Sequence, residues 1–192
     1  PRSGSLWKRA KASTSSCQRM CKTIFLNTNS IKPKHMSQIS RNSLTFIALA
    51  NEFCNLVENA LDFEKEVFQA KMLKILPRIY MSVTDVDIVD DFSDCYISPA
   101  LEEDVYDIVR SNLARLMEDD DTYLEVFMED MKFSDTPITS CISENLADLY
   151  QEMFNLVASA KDVPAEDITS MIMICKENFA NYWGQTLCNV LR

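Results

Sequence analysis

Apolar side chains recur at intervals of three and four residues through most of the chain, the spacing that lines one face of an α-helix. In the C-terminal stretch Ile168, Ile172, Cys175, Phe179, Tyr182 or Trp183, Leu187 and Val190 or Leu191 form one such stripe. Its three aromatic residues mark it as the predicted hub of a core. Gly184 follows Trp183 directly, and a glycine inside a helix is less favourable than alanine by ~1 kcal/mol. Close approach of another backbone beside the indole is the expected compensation.

The rest of the chain divides in the same way. Leu44, Phe46, Ile47, Leu49, Phe53, Leu56 and Val57 are apolar on more than one face, which predicts a deeply buried helix from Asn42. Asp62 is placed to cap a second helix from about Phe63, carrying Phe68, Leu73, Ile75, Leu76, Ile79 and Tyr80. Pro77 within it should kink the helix or end it a turn early. Residues 83–98 are acidic and poorly periodic and read as a loop. Ser98-Pro99 is a good start for a third helix, with Glu102, Glu103 and Asp104 near the positive end of its dipole. That helix should run to about Met117 and bury Val105, Ile108, Leu113 and Leu116. Residues 118–137 read as an acidic connection pinned by Tyr123, Val126, Phe127, Met131 and Phe133; a short helix there is left open. Beyond Pro137, Ile138, Ile142, Leu146, Leu149, Met153, Leu156 and Val157 predict another helix, and Asp162 and Pro164 the turn into the last. The expected fold is all-α, a single-domain bundle of five to six helices over residues 36–192 with short acidic connections.

Composition supports that reading, since two glycines and six prolines leave little turn material for sandwiches, barrels or phosphate loops. Charge is divided sharply. Residues 1–35 hold eight basic groups and no acid, leaving 11 basic and 29 acidic groups beyond them, a net of −18 (11 − 29). A body so acidic repels nucleic acid and anionic membrane; solubility is the preferred explanation of the charge, and attraction of a basic protein partner the alternative. The serine-, lysine- and arginine-rich stretch 1–35 is expected to be disordered. A transit peptide shares its bias. A non-native upstream extension, with Met36 as the true start, also accounts for the absent initiator and is the favoured reading. Seven cysteines, an odd number without tight pairing in the body, point to reduced thiols and a cytoplasmic setting. No apolar run approaches the ~20 residues that cross a bilayer.

Little catalytic equipment is visible. The sole histidine, His35, lies in the basic extension, which argues against histidine-assisted nucleophiles. No Cys-x-x-Cys pair suggests zinc, and no glycine-rich loop suggests a nucleotide phosphate. No cofactor is expected. Carboxylates are the one abundant group. Glu144, Asp148 and Glu152 share a helix face, which reads as a solvated surface in preference to a set of ligands for a hard cation. Glu102, Glu103 and Asp107 faintly resemble the acidic helix motifs of all-α nucleoside triphosphate pyrophosphohydrolases, but Tyr106 stands where an acid is needed. With Glu144 and Asp148 they form the candidate metal set. The run Glu118-Asp119-Asp120-Asp121 reads as a solvated loop. Tyr182, Trp183 and Gly184 are candidates for a pocket or a core anchor, the core reading being preferred.

Five motifs in order, Ala-Asn-Glu-Phe-Cys at 50–54, Ile-Leu-Pro at 75–77, Asp-Asp-Thr-Tyr-Leu-Glu-Val-Phe at 120–127, Ser-Glu-Asn-Leu-Ala-Asp-Leu-Tyr at 143–150 and Asn-Tyr-Trp-Gly at 181–184, resemble domain-of-unknown-function family 5063. The resemblance runs from about Ser40 to the C-terminus. It implies a bacterial, cytoplasmic helical domain and carries over no catalytic residue. The expected function is a non-enzymatic protein-interaction or regulatory module with an acidic surface. The alternative is a magnesium-dependent phosphohydrolase built on the helical carboxylates.

Overall fold

Helix α1 (Arg41–Glu58) begins where the Ser40 hydroxyl accepts the Ser43 amide at 3.1 Å, an ordinary N-cap. In this computed structural model the described residues are 39–88, 96–125, 136, 138–161 and 163–192. The basic extension, with His35, Cys17 and Cys21, lies outside them, as do Val126, Phe127, Met131, Phe133 and Asp162. As its two-faced pattern predicts, α1 buries Phe46, Leu49, Ala50, Phe53 and Val57 between two neighbours, α2 (Lys65–Thr84) and α4 (Ile142–Ser159).

Asp62 does not cap α2. It closes a separate 3₁₀ turn (Ala60–Asp62), and Glu64 stands at the N-cap with no side-chain hydrogen bond. Pro77 does not end the helix either, which continues to Thr84. Proline removes the donor for the carbonyl four residues back, here Leu73, an exposed position where water can replace it. Buried Ile75, Leu76 and Ile79 hold the segment against the core.

Helix α3 (Glu103–Met117) starts later than Ser98-Pro99 predicts. The amides that would open the helix earlier are bound elsewhere: Ser98 N–H donates to Ser159 Oγ (3.0 Å), and Ala100 and Leu101 N–H donate to Asn155 Oδ1 (2.9 and 3.0 Å). Two side chains of α4 therefore hold the strap extended. The buried stripe of α3 is Val109, Leu113 and Met117; Val105, Ile108 and Leu116 are only half-buried.

The acidic connection is the largest departure from the expected pattern. Glu118–Asp121 form a 3₁₀ turn, and strand β1 (Thr122–Glu125) pairs antiparallel with β2 (Ile138–Cys141), Thr122 opposite Cys141 and Glu125 opposite Ile138. Ile138 thus belongs to a strand, and α4 starts at Ile142. The acidic run is also more than a solvated loop. Asp120 pairs with Lys65, and Asp121 accepts both the amide and the hydroxyl of Ser143 at 2.7 Å. Asp121 caps α4 from 22 residues away, a role that local sequence at Cys141 does not supply.

The final stripe is continuous but not uniformly α-helical. Helix α5 (Ala165–Asn178) passes through one π-helical turn (Phe179–Trp183) into α6 (Gly184–Leu191). At the centre of the bundle, α4 packs on α1, α3, α5 and α6. No helix among the described residues is long and apolar enough to cross a membrane.

Within the π-turn the Gly184 N–H bonds to the Phe179 carbonyl five residues back. A Cβ on Gly184 would lie 2.5 Å from that oxygen and 3.0 Å from the Phe179 ring. The close backbone expected beside the indole is therefore present, but it comes from the glycine's own helix. Gly184→Ala should cost ~1–3 kcal/mol through forced backbone movement. A denaturant melt checks this; an alanine variant as stable as the parent would show that the turn relaxes freely to α geometry.

A part-buried polar contact stands at the end of α1. The hydroxyl of buried Tyr150 donates to Oε1 of half-buried Glu58 at 3.0 Å. Burial pushes the Glu58 carboxyl up to about 7, and the Tyr150 hydrogen bond opposes that shift only in part.

Candidate functional site

Helical spacing puts Glu144, Asp148 and Glu152 on successive turns of α4, and tertiary packing decides what stands opposite them. The tyrosine of α3 faces them: Tyr106 donates its hydroxyl to Asp148 Oδ1 at 2.7 Å. From the π-turn, Tyr182 lies within electrostatic reach of Asp148, Glu152 and Glu144, and Asn178 at the end of α5 lies near Glu152. Three carboxylates thus lie under two tyrosines drawn from different elements. Glu144 is exposed, Asp148 and Glu152 are half-buried, and Tyr182 is 55% exposed, so the group is open to solvent.

The electrostatics of this face are those of accumulated negative charge. Burial, then the Asp148 hydrogen bond and the charges of Asp148 and Glu144, push the Tyr106 hydroxyl far above the usual phenol range. Tyr182 is raised by burial and by Asp148, Glu152 and Glu144. Burial raises Glu152, with the nearby Asn178 amide opposing the shift and Asp148 adding to it. Among the described residues no lysine or arginine forms an ion pair with Glu144, Asp148 or Glu152. The nearby Arg110 sits 3.4 Å from Asp107 instead.

The candidate metal set is only partly assembled. Glu144 and Asp148 belong to this face. Glu102 is the N-cap of α3, Glu103 lies in its first turn, and Asp107 is turned to Arg110; all three are exposed. Among the described residues no three carboxylate, thiol or imidazole groups converge on a point where a metal ion could be held. Tyr106, which breaks the acidic motif in the sequence, is the α3 residue that reaches Asp148. Its signal in the sequence is that departure alone.

The Tyr182-Trp183-Gly184 triplet separates by direction. Trp183 is fully buried, its indole 4.6 Å edge-on from Phe179 and 6.5 Å parallel to Phe46, with the ring N–H donating to the Cys175 carbonyl at 3.2 Å. Gly184 is buried beside it, whereas Tyr182 points to the acidic face. Adjacent residues can serve core and surface because successive side chains on a helix point about 100° apart.

A crystal structure of protein BF1032 from Bacteroides fragilis, a Northeast Structural Genomics Consortium target, is similar to this fold. Its TM-score is 0.68 at 29% sequence identity, over 81% of this chain and 92% of that chain. No curated protein matches the chain. The family model described as Domain of unknown function (DUF5063) matches residues 37–192. With that match spanning the whole helical body, the chain belongs to the DUF5063 family.

Proposed function

We propose that this protein is a non-enzymatic interaction module whose acidic, tyrosine-flanked face receives a basic segment of a protein partner. One observation carries the reading: Asp148 accepts the Tyr106 hydroxyl with Tyr182 close by, Glu144 and Glu152 stand on the adjoining turns, and no cation of the described residues is paired to them. Uncompensated carboxylates beside aromatic rings suit an arginine or lysine side chain, which gains charge-assisted hydrogen bonds and a cation–π contact together. The net charge of −18 beyond residue 35 adds long-range attraction for such a partner and repulsion for nucleic acid and anionic membrane. A bacterial setting agrees with the similarity to a Bacteroides fragilis protein, and the thiols of Cys141, Cys175 and Cys188 suit a reducing cytoplasm.

A short arginine-rich peptide titrated by calorimetry tests the proposal. It should bind the parent protein, with salt weakening the complex. Tyr182→Ala and Asp148→Asn should each weaken binding roughly tenfold, a loss of about 1–2 kcal/mol. Tyr182→Ala is the decisive variant because it leaves net charge unchanged. Equal affinity for the parent and Tyr182→Ala would reduce the face to diffuse electrostatics and overturn the reading.

A further inference from the structure

A shallow, solvent-open depression, with a lining separate from the acidic face, lies between α2 and α6 and spans about 460 Å³. One wall is aromatic. Tyr80 and Phe179 meet edge-to-face at 5.2 Å, and Tyr80 is 40% exposed, which leaves ring surface open to the cleft. Gly184 contributes bare backbone to the lining, at the position where a side chain would collide with Phe179.

The other wall carries two amides one helical turn apart, Gln185 and Asn189. Asn189 is held from behind by a buried acid. Its Nδ2 donates to Glu125 Oε1 at 2.6 Å, and the other Glu125 oxygen accepts the Ser140 hydroxyl at 2.7 Å. Glu125 is only 8% exposed, on β1, and serves the cleft without lining it. A carboxylate oxygen accepts and does not donate, so Asn189 must turn its amino group toward Glu125. Its carbonyl oxygen is thereby left as the acceptor. The ribbon that replaces the expected irregular connection thus fixes the orientation of an amide at the cleft.

We propose that this cleft binds a flat, uncharged heteroaromatic ring with an N–H donor on its edge, the chemistry of an amino-substituted purine or pyrimidine. The ring stacks on the Tyr80–Phe179 wall, and its amino group donates to Asn189 Oδ1. Stacking on an aromatic side chain tolerates any flat ring, so the edge contact supplies the selectivity. The acidic body disfavours the polyphosphate or polynucleotide forms of the same bases, which makes a free base or nucleoside the expected occupant.

Saturation-transfer NMR on the full chain, with adenosine and cytidine as probes, tests this. Ring-proton signals are expected for both at millimolar concentration. Tyr80→Ala, which removes the stacking wall, and Ala180→Phe, which fills the cleft from an exposed position, should each weaken binding at least tenfold, with helical circular dichroism retained. Purine riboside, which lacks the exocyclic amine, should bind several-fold more weakly than adenosine. Adenosine triphosphate and a short oligonucleotide should bind more weakly than the nucleosides. Silence from both nucleosides, parent-like binding in both variants, or affinity that ignores the exocyclic amine would each overturn the assignment. Tighter binding of the oligonucleotide would overturn the choice of an uncharged occupant. These outcomes are independent of the arginine-peptide titration, which reads a different set of residues.

Discussion

Trp183→Ala is expected to lower folding stability by ~3–5 kcal/mol, the range for deleting a fully buried aromatic ring. The indole is 0% exposed and fills the space between Phe46 of α1 and Phe179 of the π-turn. Its N–H is matched by the Cys175 carbonyl, so the substitution also removes a buried hydrogen bond. The cavity cannot collapse easily, because the π-turn is anchored by Gly184 on one side and by Phe179 against Tyr80 on the other. A denaturant melt, or a fall in Tm on the order of 10 °C, reads the effect. A change under about 1 kcal/mol, usual for surface sites, would show that the stripe is not the hub of the core.

The second large effect depends on pH. Glu58 titrates at about 7 in the folded protein against an ordinary 4.5, so the folded chain holds this proton more tightly than the unfolded chain. Its contribution to stability is fully present below about 4.5 and is lost as pH rises through about 7. At 1.36 kcal/mol per pH unit, the gap between those two values corresponds to about 3 kcal/mol. Glu58→Gln keeps an acceptor for the Tyr150 hydroxyl and never ionises. The variant should match the parent near pH 4 and exceed it by about 3 kcal/mol at pH 8. Paired urea melts at the two pH values measure this difference, and subtraction cancels the other carboxylates. If the variant gains nothing at pH 8, water already reaches the Glu58 carboxylate and the burial argument fails.

Helices α1, α2 and α4 and the long C-terminal stripe were legible because each is amphipathic over several turns. Leu146, Leu149, Met153 and Leu156 lie where a 3.6-residue period puts them, and no other part of the chain is needed to say so. The same local logic misplaced the boundaries. The late start of α3 depends on Asn155 and Ser159, more than fifty residues away, and the cap of α4 is Asp121 rather than a neighbour in sequence. Strands β1 and β2 have only four residues each and gain their stability from pairing with one another. Such short segments leave too little periodicity to identify them.

By itself the sequence determined an acidic helical body, the family to which it belongs, and the placement of Glu144, Asp148 and Glu152 on one helix face, since composition and i, i+4 spacing are local properties. It also marked the Trp183–Gly184 pair as unusual, because a helical glycine is unfavourable without a compensating contact. Only the tertiary structure decided that Tyr106 reaches Asp148 with Tyr182 close by, that Glu125 orients Asn189, and that Glu58 is half-buried against Tyr150. Each of these contacts joins residues at least 34 positions apart. Which side chains meet across such distances is set by how the helices pack, and the pattern along one helix does not contain it.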